Sequence, residues 1–273
     1  MNLRNKITKH EKKMDLFDAH CHLQDQRFAN DITNVIFRAR STGISKIAIK
    51  GSTEKDWLRV EFLSKNEDNL HPSFGLHPWF LKERTSLWKE RLLRLLDKYS
   101  TAGVGEIGID SNPKGMDGEC IDIQEKIFRI QLDIARQYKR PVSIHCRSDW
   151  ARLLSILDSV GDLPGGFMIH CFGGSFEIAN ELLNRGAYLS FSGTITRPNN
   201  KKAWKVLPMV PTERILLETD APDIIPHNAE GRINEPSNLR LILSAAAHMR
   251  GEDENLLASL VFRMLAIFLL KIK

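Results

Sequence analysis

The chain predicts an α/β fold, a single TIM-type (β/α)8 barrel, and three observations carry that expectation. Short apolar runs alternate with stretches of helical periodicity, the mark of a parallel sheet with helices packed on it. Eight such runs occur in 273 residues, the number of strands and about the length that close a barrel. An open doubly wound sheet, the alternative, wants a glycine-rich loop after its first strand, and His20-Cys21-His22 stands there instead.

The runs, in order, are Leu16–Ala19, Lys46–Ile49, Pro72–Leu76, Gly103–Ile107, Pro141–His145, Gly166–His170, Ala187–Phe191 and Arg214–Thr219. Between the fourth and fifth, Ile123, Ile127, Ile130, Ile134 and Tyr138 recur at three- and four-residue spacing, which is one face of a helix. Phe176, Ala179 and Leu182 repeat the pattern between the sixth and seventh. Gly-Pro punctuation falls between elements, at Asn112-Pro113-Lys114-Gly115 and Leu163-Pro164-Gly165-Gly166, so no linker divides the chain. The last stripe, Leu256, Leu257, Leu260, Val261, Met264, Leu265 and Phe268, reads as a final helix closing the barrel. It is short, broken by Arg263 and preceded by acids, which argues against a membrane anchor.

Composition narrows the setting. No apolar run reaches the roughly 20 residues of a membrane span, and the start has no signal-peptide core. Four cysteines without regular spacing suggest no disulfide framework, so a reducing cytoplasm is expected, with no obligate protein partner. The net charge of +5 is concentrated in residues 1–13, where Arg4, Lys6, Lys9, Lys12 and Lys13 stand against Glu11, giving +4 and leaving about +1 for the rest. Residues 1–13 are therefore expected to form a mobile basic extension, with Met14 a candidate natural start and 14–273 the barrel.

The chemistry stands at the ends of the runs. In an extended strand alternate side chains share a face, so His20 and His22 point together while Cys21 points away. His77, Glu106, His145, His170 and Asp220 end later runs. In a β/α barrel these ends meet at one mouth, where the active site forms. Left bare, such a set of imidazoles and carboxylates would be a costly polar cluster; metal ions satisfy it. Six ligands exceed the need of one tetrahedral ion and suit two divalent ions with a bridging carboxylate and an open water position. His20 and His22 would hold one ion, and His145 and His170 the other. Glu106 would bridge, and Asp220 would touch the first ion and accept a proton from the attacking water. The expected reaction class is hydrolysis. Cys21, Cys146 and Cys171 are expected to face away from the axis, which leaves no thiol nucleophile.

The segments Asp18-Ala19-His20-Cys21-His22-Leu23, Gly75-Leu76-His77-Pro78, Gly105-Glu106-Ile107-Gly108-Ile109-Asp110, Pro141-Val142-Ser143-Ile144-His145-Cys146-Arg147, Ile169-His170-Cys171-Phe172, Glu218-Thr219-Asp220-Ala221-Pro222 and Asn234-Glu235-Pro236 together resemble the TatD family of metal-dependent deoxyribonucleases. The likeness runs in order from about Asp15 to the end. It implies a TIM-type barrel of the amidohydrolase superfamily, a two-metal site with His20, His22, Glu106, His145, His170 and Asp220 as ligands, and phosphodiester cleavage in DNA; trimming of single-stranded ends is one mode such a nuclease would have. Magnesium, manganese and zinc are the candidate ions. The chain departs from the family pattern at Trp79, where a second histidine is common, at Gly173, which replaces a usual serine, and in the loop from Ser111 to Glu119. All three lie at the mouth and bear on substrate choice.

Neighbouring residues have alternative readings. His77 is a loop histidine, or it holds a phosphate or protonates the leaving oxygen. Arg147 clamps a phosphate with its fork, or it pairs with a helix acid. Glu218 points inward below the metals as a charge-balancing group. Trp79 stacks on a base or packs as a lid. The same apparatus would serve a small phosphoester, an amide or an aminoacyl ester on RNA, and a non-catalytic barrel would be marked by a missing ligand, which is not found.

Overall fold

The computed structural model describes residues 14–111 and 119–270; the expectations for residues 1–13 and for 112–118 of the loop after Asp110 lie outside the described residues. Eight parallel strands alternate with helices: β1 (Leu16–Cys21), α1 (Ile32–Ser41), β2 (Ile44–Lys50), α2 (Glu54–Asn66), β3 (Leu70–Phe74), α3 (Trp88–Lys98), β4 (Gly103–Asp110), α4 (Ile121–Tyr138), β5 (Val142–Arg147), α5 (Trp150–Val160), β6 (Phe167–Ile169), α6 (Phe176–Asn184), β7 (Tyr188–Phe191), α7 (Lys201–Val206), β8 (Ile215–Leu217), α8 (Leu239–Arg250) and α9 (Glu254–Leu270). The strands run in order β1 to β8 in one sheet, each parallel to its neighbour. The ring closes just past β8, where Asp220 N–H donates to the His20 carbonyl at 2.9 Å and His22 N–H to the Ala221 carbonyl at 2.7 Å. This is the (β/α)8 barrel that the alternation predicts, and its closing bonds place Asp220 beside His20 and His22.

The outer core is the layer between sheet and helices. Ile44, Ile47 and Ile49 of β2 and Val104, Ile107 and Ile109 of β4 pack against Trp57, Leu92, Leu96, Phe128 and Leu132. Burial of this kind contributes roughly 25 cal/mol per Å² of apolar surface. Loop side chains cap four of the described helices: Thr53 with Asp56 forms a capping box on α2, and Asp149, Ser175 and Asn200 accept from the first turns of α5, α6 and α7. These caps keep the loops at the mouth short and fixed.

Several details differ from the periodicity, among them Phe176 of α6, which is exposed while Ala179 and Leu182 are buried. In α4, Ile123, Ile130 and Tyr138 are only half-buried, and the packed face is Ile127, Phe128, Leu132, Ile134 and Ala135. Gln124 and Gln131 are also buried there. Their amides satisfy strand-end backbone: Gln131 accepts from Leu76 N–H at 2.7 Å and donates to its carbonyl at 3.2 Å, and Gln124 does the same for Asp110 at 2.8 and 3.1 Å. A hydrophobic template passes over such residues, although they hold the segments that carry His77 and Asp110.

The final helix behaves as expected, with one exception. Leu265, Phe268 and Leu269 of α9 meet Phe17, Ala19, Ala48, Met168 and Leu216 in a separate apolar cluster. Helix α9 also contacts β1, β8 and the Thr212–Arg214 turn before β8, so it closes the end away from the mouth. Leu256 of the stripe is instead 55% exposed. Among the described residues no helix is long and apolar enough to cross a membrane.

Candidate metal centre

Glycine sets the position of Glu106. A Cβ on Gly108 would lie 1.9 Å from the His145 carbonyl oxygen, and one on Gly105 would lie 2.8 Å from the Ser143 Cβ. Both glycines also have positive φ, +150° and +154°, where other side chains are strained. Only glycine lets β4 approach β5 this closely, and Glu106 is thereby held in the middle of the mouth.

Each Glu106 oxygen faces its own set of ring nitrogens. Oε2 lies 3.3 Å from Nε2 of both His20 and His22. Those two nitrogens are 3.2 Å apart, and Asp220 Oδ1 stands 3.8 and 3.4 Å from them. Oε1 lies 3.1 Å from His145 Nδ1 and 3.3 Å from Nε2 of both His77 and His170. His20, His77, Glu106, His170 and Asp220 are buried, and His22 and His145 are partly so. All the predicted site residues except Arg147 are thus gathered around one carboxylate.

The grouping within the cluster is finer than the sequence suggests. Three sets have donor atoms within 4.8 Å of one another: His20, His22 and Asp220; His20, Glu106 and His170; and His77, Glu106 and His145. His145 therefore stands with His77, while His170 stacks on His20 with ring centroids 4.0 Å apart.

The outer hydrogen bonds assign the tautomers. His22 Nδ1 is 2.9 Å from the Lys50 carbonyl, and His170 Nδ1 is 3.0 Å from Glu218 Oε1. These oxygens only accept, and the Gln24 amide 3.3 Å from His22 Nδ1 gives its hydrogen to the same Lys50 carbonyl, so Nδ1 carries the hydrogen and Nε2 turns a lone pair inward. His145 is reversed: its Nε2 faces Asp110 Oδ2 at 3.1 Å, leaving the Nδ1 lone pair toward Glu106. His77 is different again. Its Nδ1 accepts from the Trp79 backbone N–H at 3.2 Å, so Nε2 carries the hydrogen and points it at Glu106. His20 Nδ1 meets the Ser143 hydroxyl at 3.0 Å, a partner that serves either tautomer.

With protons alone the cluster is in conflict. Burial works against a charged His170, yet Glu106, Glu218 and Asp220 overcome it and push the ring up to about 10. Burial, joined by His170, drives His20 well below its usual value. Burial also lowers His77 to about 4 despite Glu106. Glu106 and its acidic neighbours thus draw protons onto His22 and His145 as well as His170, three rings whose burial opposes that charge. Inward lone pairs on His22, His145 and His170 beside two carboxylates are instead the donor set that a divalent cation takes, so the residues fit the metal.

Several supporting residues escape a reading of strand ends alone. Asp110 is fully buried, bonds His145, and accepts from the Trp79 indole N–H at 2.7 Å. It lies on the face of β4 that Glu106 begins, so continuing the alternation beyond the glutamate finds it. Ser143 precedes His145 by two in the same way. Glu218, placed inward by the sequence, accepts from Ser190 Oγ at 2.6 Å as well as bonding His170. Lys50 is buried below the centre, with Nζ 3.1 Å from Ser73 Oγ, and burial pulls it down to about 8.

The cysteine expectation holds only in part. Cys21 is buried in the outer core, but Cys146 and Cys171 line the mouth. Cys171 follows β6 in a left-handed conformation with φ +46°, which ends the alternation on which the expectation rested. Its thiol meets Ser192 Oγ at 3.0 Å. Burial pushes the Cys171 thiol up and the Cys146 thiol to about 12, so neither is a thiolate near neutral pH.

The centre opens into a cavity of about 1350 Å³ lined in part by Trp79, Phe80, Arg147 and Trp150. Arg147 has no ion pair among the described residues, so the pairing with a helix acid is not found. Trp79 packs edge-on to His77 and His145, with centroids 4.9 and 5.7 Å away, and its N–H is held by Asp110.

Comparison with known proteins places this geometry among relatives. The family described as TatD related DNase matches residues 17–266. An uncharacterized metal-dependent hydrolase YabD of Bacillus subtilis is 31% identical over 235 residues, covering 86% of this chain and 91% of that protein. A 3'-5' ssDNA/RNA exonuclease TatD of Citrobacter koseri is 30% identical, covering 89% and 95%. The crystal structure of YjjV, a TatD homolog from Escherichia coli, superposes with a TM-score of 0.86 at 28% identity over 94% of this chain and 98% of that one.

Proposed function

The chain belongs to the TatD related DNase family and is a metal-dependent hydrolase of that type, and from this premise we propose that it cleaves phosphodiester bonds in single-stranded DNA with two divalent ions. One observation carries the reading: Glu106 presents its two oxygens to two separate sets of ring nitrogens, as a carboxylate shared between two ions does. His20, His22 and Asp220 would hold one ion, and His145 and His170 the other, with Glu106 between. Bound there, such ions supply Lewis-acid polarisation of the phosphate and a water of lowered pKa. Magnesium, manganese and zinc suit this mixed nitrogen and oxygen set.

The chain's own groups supply the rest. Hydrolysis forms a bond from a water oxygen to phosphorus and breaks the one to the leaving oxygen, so a proton must leave the water, the leaving oxygen must take one from solvent to depart as an alcohol, and charge on the phosphate must be steadied. Asp220 turns Oδ1 toward His20 and His22, and its other oxygen, Oδ2, takes the proton. His77 donates from Nε2, the nitrogen left bearing hydrogen once Nδ1 accepts from Trp79. In the structure that hydrogen faces Glu106 Oε1; with Glu106 engaged by the ions, it would be free to donate to a phosphate oxygen instead. Arg147, unpaired at the mouth, offers its fork to the same phosphate. Burial of the floor excludes bulk water and strengthens each of these interactions.

A screen of metal-reconstituted protein against end-labelled single-stranded DNA, RNA, and a minimal phosphodiester tests the proposal. Stepwise degradation of single-stranded DNA, abolished by chelator, is expected. Hydrolysis confined to amides or aminoacyl esters would contradict it.

A further inference from the structure

The two walls of the mouth carry opposite charge. Where the loops after β1 and β8 meet, Asp25 and Asp223 line the cavity, and the cation between them, Arg27, is consumed by both. Arg27 bonds Asp25 at 2.9 and 3.0 Å and Asp223 at 2.8 and 2.9 Å. Two carboxylates against one guanidinium leave this wall at −1. The part of the lining drawn from residues 146–202 holds Arg147, Arg197 and Lys202 with no carboxylate, a balance of +3. Neither Arg147 nor Arg197 makes an ion pair among the described residues, and Lys202 Nζ approaches only the Gly173 carbonyl, at 3.4 Å.

Gly173 gives this wall part of its form. A Cβ there would meet nothing nearer than 3.9 Å, so crowding does not require glycine. The position is bare, and the Lys202 ammonium sits over its backbone.

The basic wall also leads out of the mouth. Arg197 belongs at once to the central cavity and to an adjoining depression of about 540 Å³ that Asn199, His227 and Asn228 also line. The two loops forming it are tied together where His227 N–H donates to Thr196 Oγ1 at 2.7 Å. Arg197 is exposed and stands at the junction.

We propose that Arg197 and Lys202 form a backbone-binding track for the part of a single strand beyond the reacting phosphodiester, leading over Arg197 into the Asn199–Asn228 depression. The proposal rests on the nuclease reading and deepens it by naming where the uncleaved strand lies. An anionic chain leaving the centre is repelled by the Asp25–Asp223 wall and attracted by the other. The ligand is phosphodiester-linked nucleotides, and DNA and RNA share that chemistry. Polar amides in the depression suit sugar and base edges.

The test compares a dinucleotide with a decamer, as oligo-dT and as oligo-U, on metal-loaded full-length protein. Wild type should favour the decamer in kcat/KM by about tenfold or more. Arg197→Gln with Lys202→Gln should remove most of that preference through KM on the decamer, and Arg197→Lys with Lys202→Arg should keep it. Loss of two contacts should also reduce the slope of log KM against log salt by about 1.4, the single-strand value of roughly 0.7 per phosphate contact. Preference for DNA alone or for both polymers tells which strand the track accepts; either supports it. A preference unchanged in the Gln variant, or equal use of dinucleotide and decamer by wild type, would overturn the track and leave the nuclease reading standing. Wild type that hydrolyses bis-p-nitrophenyl phosphate but neither polymer would overturn both.

Discussion

The two halves of the centre share Glu106 but are braced differently. On the Oε2 side, the outer nitrogens of His20 and His22 rest on neutral oxygens, the Ser143 hydroxyl and the Lys50 carbonyl. On the Oε1 side, His145 and His170 rest on the carboxylates of Asp110 and Glu218. A carboxylate on the far nitrogen fixes the ring and makes its inward lone pair more basic. On the proposed two-ion reading, the Oε1 half would hold its ion the more firmly, and the Oε2 half, with Asp220 at its edge, would carry the reaction.

Three substitutions would sharpen or break that contrast. Glu106→Gln removes the group common to both halves. Both ions should be lost at equimolar metal, with turnover lower by about 10³ or more, the upper end for deleting one charge-stabilising group from a water-excluded site. Elemental analysis beside a cleavage assay reads both; retention of two ions would show that the halves stand independently. Asp220→Asn keeps the shape and one oxygen ligand but removes the basicity. Turnover should fall by at least about 10² while the ion on Glu106, His145 and His170 remains. Near-normal turnover with both ions bound would place the base elsewhere. Asp110→Asn touches only the Oε1 half. Affinity for one of the two ions should fall roughly 10–100-fold. Isothermal titration separates the two events, and equal weakening of both would erase the distinction between the halves.

Much of this centre is legible in the sequence because barrel geometry turns strand ends into one place. His20, His22, His145, His170 and Asp220 stand at or near the ends of runs and Glu106 near the end of the fourth, although β4 continues past it to Asp110, and eight runs imply one mouth. The glycines around Glu106 are legible as a motif, although their reason, the approach of β4 to β5, appears only in three dimensions. The braces are less legible. Asp110 and Ser143 follow from alternation once a ligand is fixed, but the pairing of Trp79 with Asp110 joins separate loops. Likewise the approach of His77 to Oε1, beside His145 and His170, comes from where the rings meet in space, which no spacing encodes. Gln124 and Gln131 lie in a helix read for its apolar face, so their polar role was masked by the periodicity around them. Cys171 escaped alternation because the backbone leaves the strand before it.

The central claim is that two ions held by this cluster make the protein a nuclease. Its most direct test strips the wild-type protein with chelator, then titrates it with manganese while bound metal and cleavage of labelled single-stranded DNA are followed on the same sample. Two ions per chain are expected, with cleavage absent from the stripped protein and rising as the second site fills. Full cleavage in the presence of chelator, or no binding of any divalent ion, would contradict it.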